Sequence, residues 1–245
     1  SLTGIMTKMH HCKYRFGLTG TLDGTQTHQL VLEGLFGAAE KVVTTKELID
    51  KSTLANLKIK CLILKHPNIK EKMTYAEELE YIVSNEKRID FVVNLLRHLN
   101  GNTLCLFQLV EKHGKILNDK MKGSENVYFV YGGTDTSDRE KIRGLVETHT
   151  KSTTIASFGV FSTGINIRNI NNIVLASPSK SKIRVLQSIG RGLRRSNSKD
   201  SILIYDIADD ISYNERRNFT LNHFTERLNI YNEEQFDYDI SKVKL

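Results

Sequence analysis

Apolar positions recur along most of this chain at two spacings, and the alternation between them sets out the elements. From Glu86 onward Ile89, Val92, Val93, Leu96 and Leu99 fall at helical spacing, which predicts a helix that stops near Asn100-Gly101. An unbroken apolar run, Thr103–Phe107, follows as a strand, then a helix from about Glu111 to Met121 and a strand at Val127–Tyr131 that ends on Gly132-Gly133. Ser137-Asp138-Arg139-Glu140 has the spacing of a capping box and opens a further helix to about Glu147. Strands near Thr154–Ser157 and Asn172–Ala176, a helix over Lys182–Leu193 and a strand at Ile202–Ile207 continue the series. Leu221, Phe224, Leu228 and Tyr231 then share a helical face, and Phe236, Tyr238 and Ile240 alternate as an edge strand. Upstream, Leu57–Lys65 reads as a strand leading through His66 to Pro67. Earlier still, Tyr14–Thr19 reads as a short strand running into a Gly-Thr turn, before a helix around Gln26–Leu35 that ends at Gly37.

Strands that are short continuous apolar runs, separated by helices, predict a parallel sheet covered on both faces. Ligands of such sheets sit at the carboxyl ends of the strands. The polar clusters of this chain follow strand ends, at Gly132–Asp135, Gly159–Asn166 and Pro178–Arg184.

Composition narrows the class. The chain of 245 residues is 39% hydrophobic and 26% charged, enough to bury a core, and no apolar run is long enough to span a bilayer. Cys12, Cys61 and Cys105 are odd in number and widely spaced, which argues against a disulfide framework or a zinc ribbon and suits a reducing, cytoplasmic setting. His10-His11-Cys12 lacks the spacing metals need, so no metal site is expected. The formal charge is +7, and Lys180, Lys182, Arg184, Arg191, Arg194, Arg195 and Lys199 lie between Pro178 and Lys199 with no acid among them. A solvated helix face accounts for such a stretch as well as nucleic acid does.

Spacing within it decides between the two. On a helix Gln187, Arg191 and Arg194 share one face. Two obligate cations and an amide pointing the same way suit a polyphosphate held by another domain, approached by arginine fingers. Gly190 permits close approach of another backbone there, at a cost in helix stability. An exposed basic helix with an accidental glycine is the plain alternative.

This Gln-x-x-Gly-Arg-x-x-Arg pattern resembles motif VI of superfamily 2 helicases, and four further segments agree in order. Gly17-Leu18-Thr19-Gly20-Thr21-Leu22 resembles motif III, Leu104–Gln108 motif IV, and Tyr131-Gly132-Gly133-Thr134 with Ser137–Glu140 the block after it. Phe161-Ser162-Thr163-Gly164-Ile165-Asn166-Ile167 resembles motif V, with Asn166 where the family usually carries Asp. Five motifs in order are specific where one would be weak.

The resemblance implies an α/β fold: a RecA-like second lobe over residues 38–245, preceded at residues 1–37 by the tail of a first lobe. It implies ATP bound between lobes, with Arg191 and Arg194 as fingers and Gln187, Gly164, Asn166 and Gly190 beside the nucleotide. Thr19, Gly20 and Thr21 would couple the nucleotide site to DNA. Gly132, Gly133, Thr134, Thr163, Lys180 and Lys182 would contact nucleic-acid phosphates without reading sequence. No GxxxxGK[ST] and no DExH box occurs in the chain. The ligands of Mg²⁺ and the hydrolytic base are therefore expected in a missing N-terminal lobe, and this chain alone is expected to hydrolyse no ATP. The spelling further resembles phage recombination helicases, which implies remodelling of branched DNA and RNA–DNA hybrids in a bacterial cytoplasm. A duplex translocase that separates no strands, an RNA helicase and a passive nucleic-acid-binding module remain open as alternatives.

Overall fold

The computed structural model of the chain describes residues 2–19, 26–40, 42–67, 69–163, 167, 169–178, 189, 190, 193 and 200–245. It divides into two units, Ser1–Thr44 and Thr45–Leu245. The first holds α1 (Leu2–Met6) and α2 (Gln26–Phe36). Gly37 ends α2 as expected: its φ of +93° is left-handed, and its amide bonds the Glu33 carbonyl at 2.8 Å. The strand expected at Tyr14–Thr19 is not formed. A strand requires a hydrogen-bonded neighbour, and the described residues of this unit supply none; Phe16 and Leu18 are 86% and 99% exposed.

The second unit is a seven-stranded, wholly parallel sheet. In chain order it runs α3 (Thr45–Asp50), β1 (Asn56–Lys65), α4 (Tyr75–Ser84), α5 (Glu86–His98) and β2 (Asn102–Phe107). A single π-helical turn (Val110–Gly114) leads into α6 (Lys115–Lys120), then β3 (Val127–Val130), α7 (Thr136–Thr148), β4 (Ser152–Ser157) and α8 (Phe158–Thr163). β5 (Ile170–Leu175), β6 (Ser201–Asp210), α9 (Phe219–Glu233) and β7 (Tyr238–Lys244) complete it. The sheet order is β3-β4-β2-β5-β6-β1-β7.

Two cores flank the sheet because successive side chains of a strand face opposite ways. Leu104 and Leu106 of β2 pack on one side with Ile173 and Leu175 of β5, Phe224 and Tyr231 of α9, and Ile189 and Leu193. Cys105 and Phe107 face the other, against Ile89, Val92, Val93 and Leu96 of α5. That α5 stripe, at i, i+3, i+4 and i+7, is the one the sequence predicts. Asn85 caps the helix by accepting from the Arg88 amide at 3.0 Å.

Local signals misled in two places. The capping box expected at Ser137–Glu140 is absent: α7 begins at Thr136 with Asp135 at its cap, two residues earlier than a Ser137 cap would set it, and Glu140 instead takes the Arg143 guanidinium at 2.8 Å. A reciprocal box does form at Thr74 and Glu77, where the Glu77 carboxylate accepts from the Thr74 amide at 2.7 Å. The helix expected over Glu111–Met121 starts as the π turn. There a Cβ on Gly114 would run into the Phe107 ring, so only glycine lets the turn settle on β2. The helix expected over Lys182–Leu193 lies outside the described residues except at Ile189, Gly190 and Leu193. There the Leu193 amide bonds the Ile189 carbonyl at 2.9 Å, the i to i−4 bond of an α-helix.

Candidate nucleic-acid interface

β2 is followed by β3, toward one edge of the sheet, whereas β5 is followed by β6, toward the other. Their carboxyl ends therefore flank a topological switch point, the usual position of a ligand crevice. Here the chain fills that position with its own polar groups. The Gln108 amide bonds Ser177 Oγ at 3.1 Å, and Ser177 Oγ lies 2.9 Å from His113 Nδ1. Ser177 Oγ thus accepts from the Gln108 amide and shares a further hydrogen bond with the His113 ring, whose Nε2 is buried without a partner. Burial pushes the His113 pKa down to about 3, with Arg88 adding to the shift and Asp209 opposing it. His113 is neutral, and fully buried.

Beside it, Arg88 donates from Nε to Asp209 Oδ1 at 2.7 Å and from Nη2 to the Ala176 carbonyl at 2.8 Å. His66 Nε2 meets the same Asp209 oxygen at 2.9 Å. Burial opposes the Asp209 charge, yet Arg88 and His66 together hold its carboxyl below the usual carboxylate range. Arg88, Asp209 and His113 are 0% exposed, so these groups tie together the carboxyl ends of β1, β2, β5 and β6 and meet no substrate. A second buried pair, Arg227 on Asp206 with the Tyr231 hydroxyl at 2.8 Å, fixes α9 to β6. The helix's first amides are capped from α4, where Glu78 accepts from Phe219 N at 2.8 Å and Thr220 N at 2.9 Å. Sequence spacing alone marks none of the ion pairs or caps that these groups form.

An exposed polar site lies at the end of edge strand β3. Tyr131, Gly132, Gly133 and Thr134 make a turn closed by the Thr134 amide on the Tyr131 carbonyl at 3.0 Å and by the Tyr131 amide on Thr134 Oγ1 at 3.1 Å. Gly132 and Gly133 are exposed, and among the described residues neither amide has a hydrogen-bond partner. A Cβ on Gly133 would come within 2.7 Å of the Tyr131 ring, which lies tilted against Phe129, itself stacked on Phe107. Free amides in a turn at a strand end can receive an anionic oxygen.

The other expected site residues fall as follows. Thr19 is exposed in the first unit, while Gly20 and Thr21 lie outside the described residues. Thr163 ends α8, and Gly164 and Asn166 lie outside the described residues. So do Lys180, Lys182, Gln187, Arg191 and Arg194. Gly190 is helical and exposed, with nothing within 4 Å of the place a Cβ would take; its neighbours Ile189 and Leu193 are buried. Cys61 and Cys105 are buried thiols whose pKa burial raises, Cys105 up to about 12, which leaves them unreactive. Among the described residues no group of three or more His, Cys, Asp or Glu could hold a metal ion, and no helix is long and apolar enough to cross a membrane.

Comparison with known proteins agrees with this architecture. Residues 87–196 match the helicase conserved C-terminal domain. The ATP-dependent DNA helicase UvsW of Enterobacteria phage T4 is 34% identical over a 264-residue alignment that takes in all of this chain and 52% of that protein. Its crystal structure superposes with a TM-score of 0.67 at 33% identity, covering 99% of this chain and 51% of the other. The type ISP restriction-modification enzyme LlaBIII, solved bound to DNA, shares the fold at a TM-score of 0.59 and 12% identity, over 96% of this chain and 18% of its own. The chain spans about half the length of the phage relative it matches. With its parallel RecA-like sheet and a helicase conserved C-terminal domain matched over residues 87–196, the chain is similar along its whole length to the C-terminal part of a superfamily 2 helicase.

Proposed function

We propose that this chain is the second motor lobe, with the adjoining end of the first, of an ATP-dependent DNA helicase that remodels branched DNA and RNA–DNA hybrids. In this reading Arg191 and Arg194 reach the γ-phosphate of ATP held by the other lobe. Gln187, Gly190, Gly164 and Asn166 line the near side of the nucleotide, and Thr19, Gly20 and Thr21 transmit its state. Mg²⁺ ligands belong to the other lobe, so hydrolysis belongs to the complete enzyme and not to this chain. Gly132, Gly133, Thr134 and Thr163 with Lys180 and Lys182 track a phosphate backbone. Such contacts position a strand without reading its bases.

The observation that carries the DNA side of this reading is the Tyr131–Thr134 turn, with two exposed amides that no described residue satisfies. Similarity along the whole chain to an ATP-dependent DNA helicase supports the ATP side. The test is a titration of the chain with a single-stranded oligonucleotide across salt concentrations. Affinity is expected to be independent of sequence and to fall linearly in log–log form, with a slope of about −0.7 per phosphate neutralised. Replacing Lys180 and Lys182 by Gln should make that slope shallower by roughly 1.4. Affinity that stays flat with salt refutes the reading.

A further inference from the structure

Arg139 lies in the first turns of α7 and reaches back over the turn that precedes the helix. Its Nη2 donates to the Gly132 carbonyl at 3.0 Å and lies 3.4 Å from the Tyr131 carbonyl. The planar trans peptide makes these two contacts informative, because the C=O of one residue and the N–H of the next point in opposite directions. A Tyr131 carbonyl turned toward Arg139 aims the Gly132 amide away from it, and a Gly132 carbonyl turned toward Arg139 does the same for the Gly133 amide. These are the two amides that have no partner among the described residues. The Arg139 Nε is also shut off from solvent and has no hydrogen-bond partner.

We propose that Arg139 is a positioning residue: it braces the Tyr131–Thr134 turn from behind and so aims the Gly132 and Gly133 amides at a nucleic-acid phosphate, without touching the phosphate itself. The inference rests on the reading of that turn as a phosphate site. It separates two roles that an arginine near nucleic acid can have. A cation that contacts a phosphate releases counterions, so its loss makes the salt dependence shallower. A cation that only holds neutral amides in place gives affinity with no share of that slope. Thr134 is the second brace, through the bond from the Tyr131 amide to its Oγ1, and it carries no charge.

The experiment compares the chain with its Arg139→Gln and Thr134→Val variants, titrated with oligothymidylate from low to moderate salt. Both variants are expected to lose affinity about tenfold or more while the log–log slope stays as in the parent. A slope shallower by about 0.7 in Arg139→Gln alone identifies a direct phosphate contact and overturns the proposal. Unchanged affinity overturns it as well. A second readout does not depend on DNA: the backbone order parameters of Gly132 and Gly133, measured by ¹⁵N relaxation, should fall from the rigid range in Arg139→Gln. If they do not fall, Arg139 does not hold the turn and the proposal is wrong. If the parent chain binds no DNA while the order parameters do fall, the fault lies in the phosphate reading and not in the brace.

Discussion

His113 gives the chain a specific weakness to mild acid. In the unfolded chain its imidazole titrates at the ordinary 6.5, whereas burial pushes it down to about 3 in the fold. Between those values the unfolded state binds a proton that the folded state refuses. The stability contributed by the neutral ring is therefore complete above the unfolded value and is lost progressively as pH falls below it. Each pH unit in that window costs about 1.4 kcal/mol. Taking the chain from about pH 7 to about pH 5 should remove roughly 2 kcal/mol through this one ring, a large share of a typical 5–15 kcal/mol. The Asp209 carboxylate titrates at lower pH, since Arg88 and His66 hold it below the usual range, so its loss falls outside that window. The informative variant is His113→Asn, whose side-chain amide can still hydrogen-bond Ser177 but which does not titrate. It should be less stable at neutral pH, because it underfills the site, yet it should lose about 2 kcal/mol less than the parent on acidification. Urea unfolding at several pH values measures both quantities. Parallel losses in the two proteins would refute the assignment of a buried neutral imidazole.

Two further predictions test the buried ion pair and the proposed arginine fingers. Arg88→Met leaves the buried Asp209 carboxylate with His66 as its remaining partner and should cost about 3–5 kcal/mol, most of it recovered when Asp209→Leu is added; a loss below about 1 kcal/mol in the single variant would mean the ion pair does not hold the strand ends. In the complete enzyme Arg191→Ala or Arg194→Ala should lower DNA-stimulated ATP turnover by about a thousandfold or more and leave nucleotide-free DNA binding nearly unchanged; normal turnover with lost DNA affinity would place these arginines on DNA instead.

What could be read from the sequence follows from the range of the forces involved. The burial of α5 and β2 is written in neighbouring residues, as helical spacing at Ile89–Leu96 and as a continuous apolar run at Thr103–Phe107, and both elements form where expected. The buried ion pair could not be read this way. Arg88 stands beside the apolar stripe of its own helix as an ordinary polar neighbour, and its partner Asp209 is 121 residues away. Glu78 likewise caps a helix that begins about 140 residues later. The capping box fails because Asp135, as good an N-cap residue type as Ser137, takes the cap position and puts Ser137 inside the first turn. His113 and Gly114 carry a local signal, a histidine and a glycine inside an apparent helix, which is where the π turn forms. Of the candidate site, the Gly132–Thr134 cluster was legible because glycines after an edge strand imply a tight turn. Arg139, five residues beyond it, has in sequence only the look of a helix-start residue, because its contacts to the Tyr131 and Gly132 carbonyls depend on the turn folding back.

The distribution of charge connects the interior with the proposed interface. The seven basic residues between Pro178 and Lys199 equal the whole formal charge of +7; outside that stretch, 28 basic residues face 28 acidic ones. On the described surface many of the cations are paired with acids: Lys112 with Glu80, Lys120 with Asp90, Lys141 with Asp138, and Arg143 with Glu140 and Glu147. The buried groups at the strand ends add no net field either, since Arg88 is matched by Asp209 and His113 is neutral. Long-range attraction of a polyanion thus falls to one acid-free stretch, while the Tyr131–Thr134 turn offers hydrogen bonds without charge. Salt should therefore act on DNA affinity chiefly through residues 178–199, and substitutions in the turn should move the affinity curve up or down without changing its steepness.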